Sequence, residues 1–207
     1  MEAGLFEGWN DPRLPTLSAL KERGITAQAL RNFWVELGVT QKDISVPLST
    51  LYSLNTKEID AIAPRVSFVK NPVQISLQGE CPDRISIAVH PNDKSMGQRI
   101  FELADNSVYI SSADHKNEVR LKDFCNIMID GNSAQITSTE RVDNIPIIHW
   151  VGGNYVDAEL IVIEEGELVS ITGKMEMHEY PIGTALQLER IGYGIIVAEN
   201  KIVFTHN

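Results

Sequence analysis

The chain is poor in cysteine, in positive charge and in long apolar runs, and each shortage closes off a class of protein. Only Cys81 and Cys125 occur among 207 residues. Far apart and outside any Cys-x-x-Cys spacing, they predict two reduced thiols rather than zinc ligands or a disulfide framework. No stretch approaches the roughly 20 apolar residues that span a bilayer, and the acidic N-terminus has none of the features of a signal or transit peptide. We therefore expect no membrane partner and a cytoplasmic location. Lys and Arg number 18 against 28 Asp and Glu, a net charge of -10, so the chain lacks the basic face with which general nucleic-acid binders displace counterions, and DNA is not an expected ligand. His90, His115, His178 and His206 show no metal-ligand spacing, and no glycine-rich phosphate loop follows a strand.

What is present is a normal globular core, 43% apolar by composition, long enough for one large domain or two to three small ones. The acidic excess is uneven: residues 1–64 hold 6 basic against 8 acidic side chains, and 65–207 hold 12 against 20. A site for a few unpaired bases still works in such a chain with a handful of placed donors, because base edges and stacking rather than total charge supply the discrimination.

The first distinctive stretch is Gly8 to Thr16. Pro12 and Pro15 fix their own φ and push Asp11 and Leu14 out of the helical region, which predicts an extended run. Thr16 then caps a short helix over Leu17 to Arg23, closed by Gly24. Thr26 caps a second helix, Ala27 to Leu37, in which Leu30, Phe33, Trp34 and Leu37 recur at helical spacing and predict a core-facing stripe before Gly38 ends it. A third helix is expected from Pro47 to Ile62, with Leu48, Leu51, Tyr52, Ile59 and Ile62 on one side and Pro64 closing it. Residues 17–63 thus read as helical.

From Arg65 the period changes from 3.6 to 2. Segments 66–69, 74–77, 84–89 and 107–110 alternate apolar with polar, 118–129 does so over a longer run before an Asp130-Gly131 turn, and 135–138, 145–151, 155–163, 168–171, 185–197 and 201–205 follow. More than ten short strands in about 140 residues crowd one barrel, so we expect two small antiparallel ones. The fold class is α+β: a helical connector over 1–64 and a β region over 65–207. Glu164-Glu165-Gly166-Glu167 reads as a solvated hairpin tip. On one strand His149 and Trp150 point to opposite faces, Trp150 into the core and His149 exposed or hydrogen-bonded. Arg120 and Lys122, two apart, share a strand face and form a local basic stripe.

Gly8 to Thr16 with Leu17 to Arg31 resembles the segment that follows the catalytic domain in class I glutamyl- and glutaminyl-tRNA synthetases, with Asn10 where the family usually has Asp. The resemblance continues in order through His90-Pro91, Met96-Gly97, Val108-Tyr109-Ile110, Glu118 to Lys122, Ile148 to Val151 and Gln187 to Tyr193. Closing on Val203 to His206, it is nearest the archaeal glutamyl type. It implies two β-barrels that bind the anticodon, the proximal one completed by C-terminal strands. It also implies site residues: Arg65, Arg120, Lys122, Gln187 and Arg190 at the anticodon, with Asp11 and Arg13 at the inner corner of the tRNA. Gln187 and Arg190 match a Gln-x-x-Arg that reads the middle base, where Gln can donate and accept and Arg offers a rigid fork of donors. Lys122 stands where glutaminyl enzymes often carry arginine, and Ala113 to Asn117 is shorter than their basic loop, which implies looser discrimination at the third base.

Neither class I catalytic signature occurs, and Lys94-Ser95-Met96-Gly97 is only a partial echo of one. The resemblance therefore implies a chain without catalytic residues or resident cofactor. ATP and magnesium belong to the catalytic domain of the intact ligase, and tRNA-Glu and that domain are the partners of a monomer. Two alternatives stay open: a glutaminyl-tRNA synthetase fragment, and an acidic β-barrel module that docks proteins.

Overall fold

The computed structural model describes residues 6, 8–38, 45–103 and 105–207. Three helices come first: α1 (Leu17–Glu22), α2 (Ala27–Leu37) and α3 (Leu48–Ile59). The Thr16 and Thr26 side chains accept from the amides of Ala19 and Ala29, each at 3.0 Å, giving otherwise unpaired helix N–H groups a partner. Residues 39–44, included in the helical reading of 17–63, lie outside the described residues.

Two expectations for this part are corrected. Gly8 to Leu14 is a succession of turns rather than an extended run, with the Asp11 amide bonded to the Gly8 carbonyl and the Leu14 amide to that of Asp11. Asp11-Pro12 occupies the first two positions of the second turn, where Asp and Pro are both favoured, and the buried Asp11 carboxylate also accepts from the Arg13 amide. The second correction concerns the stripe on α2. Trp34 is 62% exposed and Ala29 is the buried residue of the helix, because α2 packs on α3 through its narrow side. On α3, which ends at Ile59 rather than at Ile62, the core contacts come from Leu51, Leu54 and Ile59, while Leu48 faces out and Ile62 is exposed in the turn after the helix.

The strands are β1 (Arg65–Val66), β2 (Phe68–Lys70), β3 (Pro72–Gln78), β4 (Arg84–Ala88), β5 (Gln98–Glu102), β6 (Ser107–Ser111), β7 (Glu118–Leu121) and β8 (Asn126–Asp130), followed by β9 (Ser133–Ser138), β10 (Ile147–Ile148), β11 (Tyr155–Glu164), β12 (Glu167–Glu176), β13 (Ala185–Leu188), β14 (Gly192–Ala198) and β15 (Lys201–His206). They form two nearly closed barrels. In one, the order is β1-β13-β14-β15-β11-β12-β2. Since β1 and β2 are one segment interrupted at Ser67, that segment pairs with β13 on one side and β12 on the other and closes the ring. The other has the order β10-β7-β8-β9-β3-β6, with a bridge from Tyr109 to Val151 across the gap and the β4-β5 hairpin attached.

Alternation sets both cores. Val66, Phe68, Leu160, Met175, Leu186 and Ile202 fill the first, and Ile75, Val108, Ile110, Leu121, Ile127 and Trp150 fill the second. Trp150 is in the core, its indole N–H donating to the Lys122 carbonyl at 3.0 Å. The long run 118–129 is two strands, since Asp123 takes a positive φ of 59° and turns the chain. The acidic stretch 164–167 is the tip of the β11-β12 hairpin.

Candidate nucleic-acid interface

Arg65, Gln187 and Tyr193 stand in a row across three neighbouring strands, Arg65 opposite Gln187 and Gln187 opposite Tyr193. Val66 and Leu188, one residue further along, point the other way into the barrel core. The outward row borders a cavity of about 510 Å³ at the junction of the barrels, lined by Arg65, Gln187, Glu189 and Arg190 from one side and by Ser86 to Ala88, Pro91, Arg99, Lys122 and Asp123 from the other. Four of the five anticodon residues implied by the sequence meet here. Four basic side chains, Arg65, Arg99, Lys122 and Arg190, gather in this lining beside Asp123 and Glu189, in a chain whose net charge is -10.

Each cation is held. Arg65 is buried and donates to the Asp60 carboxylate at 2.7 Å and to the carbonyls of Asp60 and Ala63, at the C-terminal end of α3. Arg190, exposed and with a φ of 61°, forms a two-pronged pair with Asp114 at 2.7 and 3.0 Å and reaches His149 Nδ1 at 3.4 Å. His149 is buried, and its Nε2–H donates to the Phe68 carbonyl at 2.9 Å, leaving Nδ1 as the acceptor for Arg190. Burial, then the Arg190 charge, lowers the His149 pKa, which fits that neutral tautomer. Asp114 is held below the usual carboxylate range by its hydrogen bonds and charge pairing with Arg190, which outweigh its burial.

The groove wall carries an ionic cluster around Arg99 that sequence reasoning missed. Arg99 on β5 donates to Glu176 at 3.0 Å and Glu189 at 2.6 Å, and Lys122 also pairs with Glu189. Burial pushes the Glu176 carboxyl up to about 7 despite Arg99. Burial also acts on Glu189, but two cations outweigh it and its pKa is lowered. The signal for β5 was weak, because Ile100-Phe101 breaks the alternation of Gln98 to Glu102.

The other implied residues lie elsewhere. Arg120 is outside the groove lining and donates to Asn126 and to the carbonyls of Glu140, Thr139 and Phe124, tying together the chain around β7 and β8. The shared strand face expected for Arg120 and Lys122 is not formed: β7 ends at Leu121, and Lys122, in the turn that follows, reaches Glu189 of the other barrel. Asp11 and Arg13 pair with each other at 2.7 Å, and Arg13 reaches Glu167 at the hairpin tip. Among the described residues no cluster of three or more His, Cys, Asp or Glu is placed to hold a metal ion, and no helix is long and apolar enough to cross a membrane.

With two small β-barrels meeting at this groove, residues 63–143 match the family model described as the anticodon-binding domain of class I tRNA synthetases, E and Q. The glutamate–tRNA ligase of Methanosarcina acetivorans is 35% identical over 223 aligned positions, covering all of this chain and 38% of that protein. That of Korarchaeum cryptofilum is 32% identical over 219, covering 99% and 38%, and that of Methanothrix thermoacetophila 41% over 164, covering 72% and 28%. The chain belongs to the class I synthetase family as a homologue of the C-terminal part of glutamate–tRNA ligases. It spans well under half the length of these relatives.

Proposed function

We propose that this chain binds the anticodon arm of tRNA-Glu through the groove between its barrels, with Arg65, Lys122, Gln187 and Arg190 facing unpaired bases. The observation that carries the reading is their convergence, from opposite ends of the sequence and from both barrels, on one cavity where four basic side chains gather in an otherwise acidic chain. Gln187 and Arg190 are the base readers, each contact contributing about 1–3 kcal/mol of discrimination. Arg65, with its fork tied to Asp60, shapes the wall, and Arg120 supports the barrel from outside the groove. Asp11 and Arg13 meet the inner corner of the tRNA as a pair.

The intact ligase joins glutamate to tRNA-Glu, using ATP and magnesium in a catalytic portion to which this chain contributes no signature. Alone, the chain makes no aminoacyl-tRNA. We place it in the cytoplasm as a monomer.

Fluorescence anisotropy with a labelled anticodon stem-loop of tRNA-Glu tests the reading. Weak, salt-sensitive binding is expected, reduced several-fold by Gln187→Ala or Arg190→Ala. Affinity unchanged by both substitutions would show that the groove is not the recognition face.

A further inference from the structure

The orientation of the Gln187 amide is decided behind the groove, by a hydroxyl hydrogen that Tyr193 has already committed to Asp60. The Tyr193 hydroxyl donates to Asp60 Oδ1 at 2.6 Å, and Asp60 accepts from Arg65 as well. The Tyr193 hydrogen bond is foremost in holding the Asp60 carboxyl below its ordinary range, and burial with Asp60 pushes the Tyr193 phenol up to about 12. Asp60 is therefore an anion and Tyr193 a phenol whose single hydrogen is committed, so toward anything else the phenol oxygen can only accept.

The group it meets is the Gln187 side chain, 3.4 Å away on the opposing strand. Of the two ends of a carboxamide only the NH₂ can donate to that oxygen. Turning the amide over would set two acceptors against each other, at a cost comparable to a lost hydrogen bond. Nε2 is thus turned to Tyr193. Gln187 lines the cavity, and its Oε1 has no protein partner among the described residues.

We infer that Tyr193 and Asp60 are positioning residues that make Gln187 an acceptor toward RNA, so that the base it reads must offer it an N–H. This rests on the anticodon reading and narrows it, since a free glutamine both donates and accepts. At the middle position of a glutamate anticodon the base is uracil, whose Watson–Crick edge carries one N–H, at N3. Arg190, held by Asp114 and His149 through Nη1 and one Nη2 hydrogen, keeps Nε–H and the other Nη2 hydrogen for a neighbouring carbonyl.

The test uses the 207-residue chain and two stem-loop RNAs, one with uridine and one with N3-methyluridine at the middle anticodon position. Wild type is expected to prefer uridine by about tenfold or more. Tyr193→Phe removes the fixed acceptor and frees the amide to turn, so the preference is expected to fall below about threefold, through weaker uridine binding and unchanged or stronger binding of the methylated RNA. Asp60→Ala, at a half-exposed position, removes the acceptor, releases the Tyr193 proton and gives the same collapse should Tyr193→Phe impair folding, as followed by circular dichroism. A purely structural role for Tyr193 would weaken both RNAs equally and leave the ratio intact, overturning the inference. If Gln187→Ala abolishes the preference while Tyr193→Phe and Asp60→Ala both keep it, the anticodon reading stands and the positioning role falls. A wild-type chain indifferent to the methyl group overturns the acceptor role itself.

Discussion

Arg99 and Glu176 meet at 3.0 Å across the junction of the two barrels, the arginine on the β4-β5 hairpin of one and the glutamate at the end of β12 in the other. Both side chains are almost fully buried, and Glu189 at 2.6 Å from the same guanidinium is buried too. One guanidinium thus bridges two carboxylates that burial has stripped of water, with Lys122 sharing Glu189, and forms an ionic contact between the barrels.

Removing the arginine leaves those carboxylates with Lys122, which reaches Glu189 alone. Arg99→Met is expected to lower the unfolding free energy by about 3–5 kcal/mol, the usual cost of breaking a buried pair from one side. Urea denaturation at pH 7 checks this; a loss under about 1 kcal/mol would mean that the cluster is hydrated in solution.

Glu176 predicts a pH dependence of definite sign. With its folded pKa raised to about 7, well above that of an exposed glutamate, the folded state holds a proton that the unfolded state has released between those values. The stability this group contributes is full at acid pH and lost as pH rises toward 7. Glu176→Gln keeps the neutral form throughout. Its stability relative to wild type is expected to climb from pH 5 to pH 7.5, by at most about 3 kcal/mol, in urea melts across that range. A difference that is flat with pH would show Glu176 to be ionised throughout.

Gly173 sits where β12 crosses β2 to close the first barrel. A Cβ there would lie 2.5 Å from the Val69 carbonyl and 2.7 Å from the Phe68 ring, and neither backbone nor core ring has room to give. Gly173→Ala is expected to cost about 1–3 kcal/mol and to lower the thermal midpoint. An unchanged midpoint would show that the closing pair is looser than its register implies.

Arg120 separates a supporting role from a reading role. Arg120→Ala removes four hydrogen bonds to Asn126, Glu140, Thr139 and Phe124. A lower thermal midpoint is expected, with base preferences unaltered below the melt. Changed preference at full folding would place Arg120 at the RNA after all.

The helix caps were legible because a Thr before a helical period has one local job, and α2 has the bounds the sequence implied. Its buried side was not. Leu30, Phe33, Trp34 and Leu37 repeat at helical spacing whether or not anything covers them, and the partner surface is set by α3. The turn over Asp11 to Leu14 was present in the sequence as Asp-Pro, but the restriction that proline places on its predecessor drew the reading toward an extended run. In the groove, Gln187 and Arg190 were found by resemblance to known synthetases. Arg99, Glu176 and Tyr193 were not, because each is defined by a charged partner distant in sequence, Glu176 and Glu189 for Arg99 and Asp60 for Tyr193.

The sequence by itself determined the local period: where the chain coils, where it alternates, which face of each strand is apolar and that charged donors lie on the other. Those are properties of neighbouring residues, and side-chain alternation expresses them without help. Only the tertiary structure decided that the β1–β2 segment would lie between β13 and β12, bringing Arg65 beside Gln187, and that Arg99 would find two carboxylates in the other barrel. Ring closure and barrel docking are non-local events, fixed by pairing register and packed volume, and no window along the chain contains both partners.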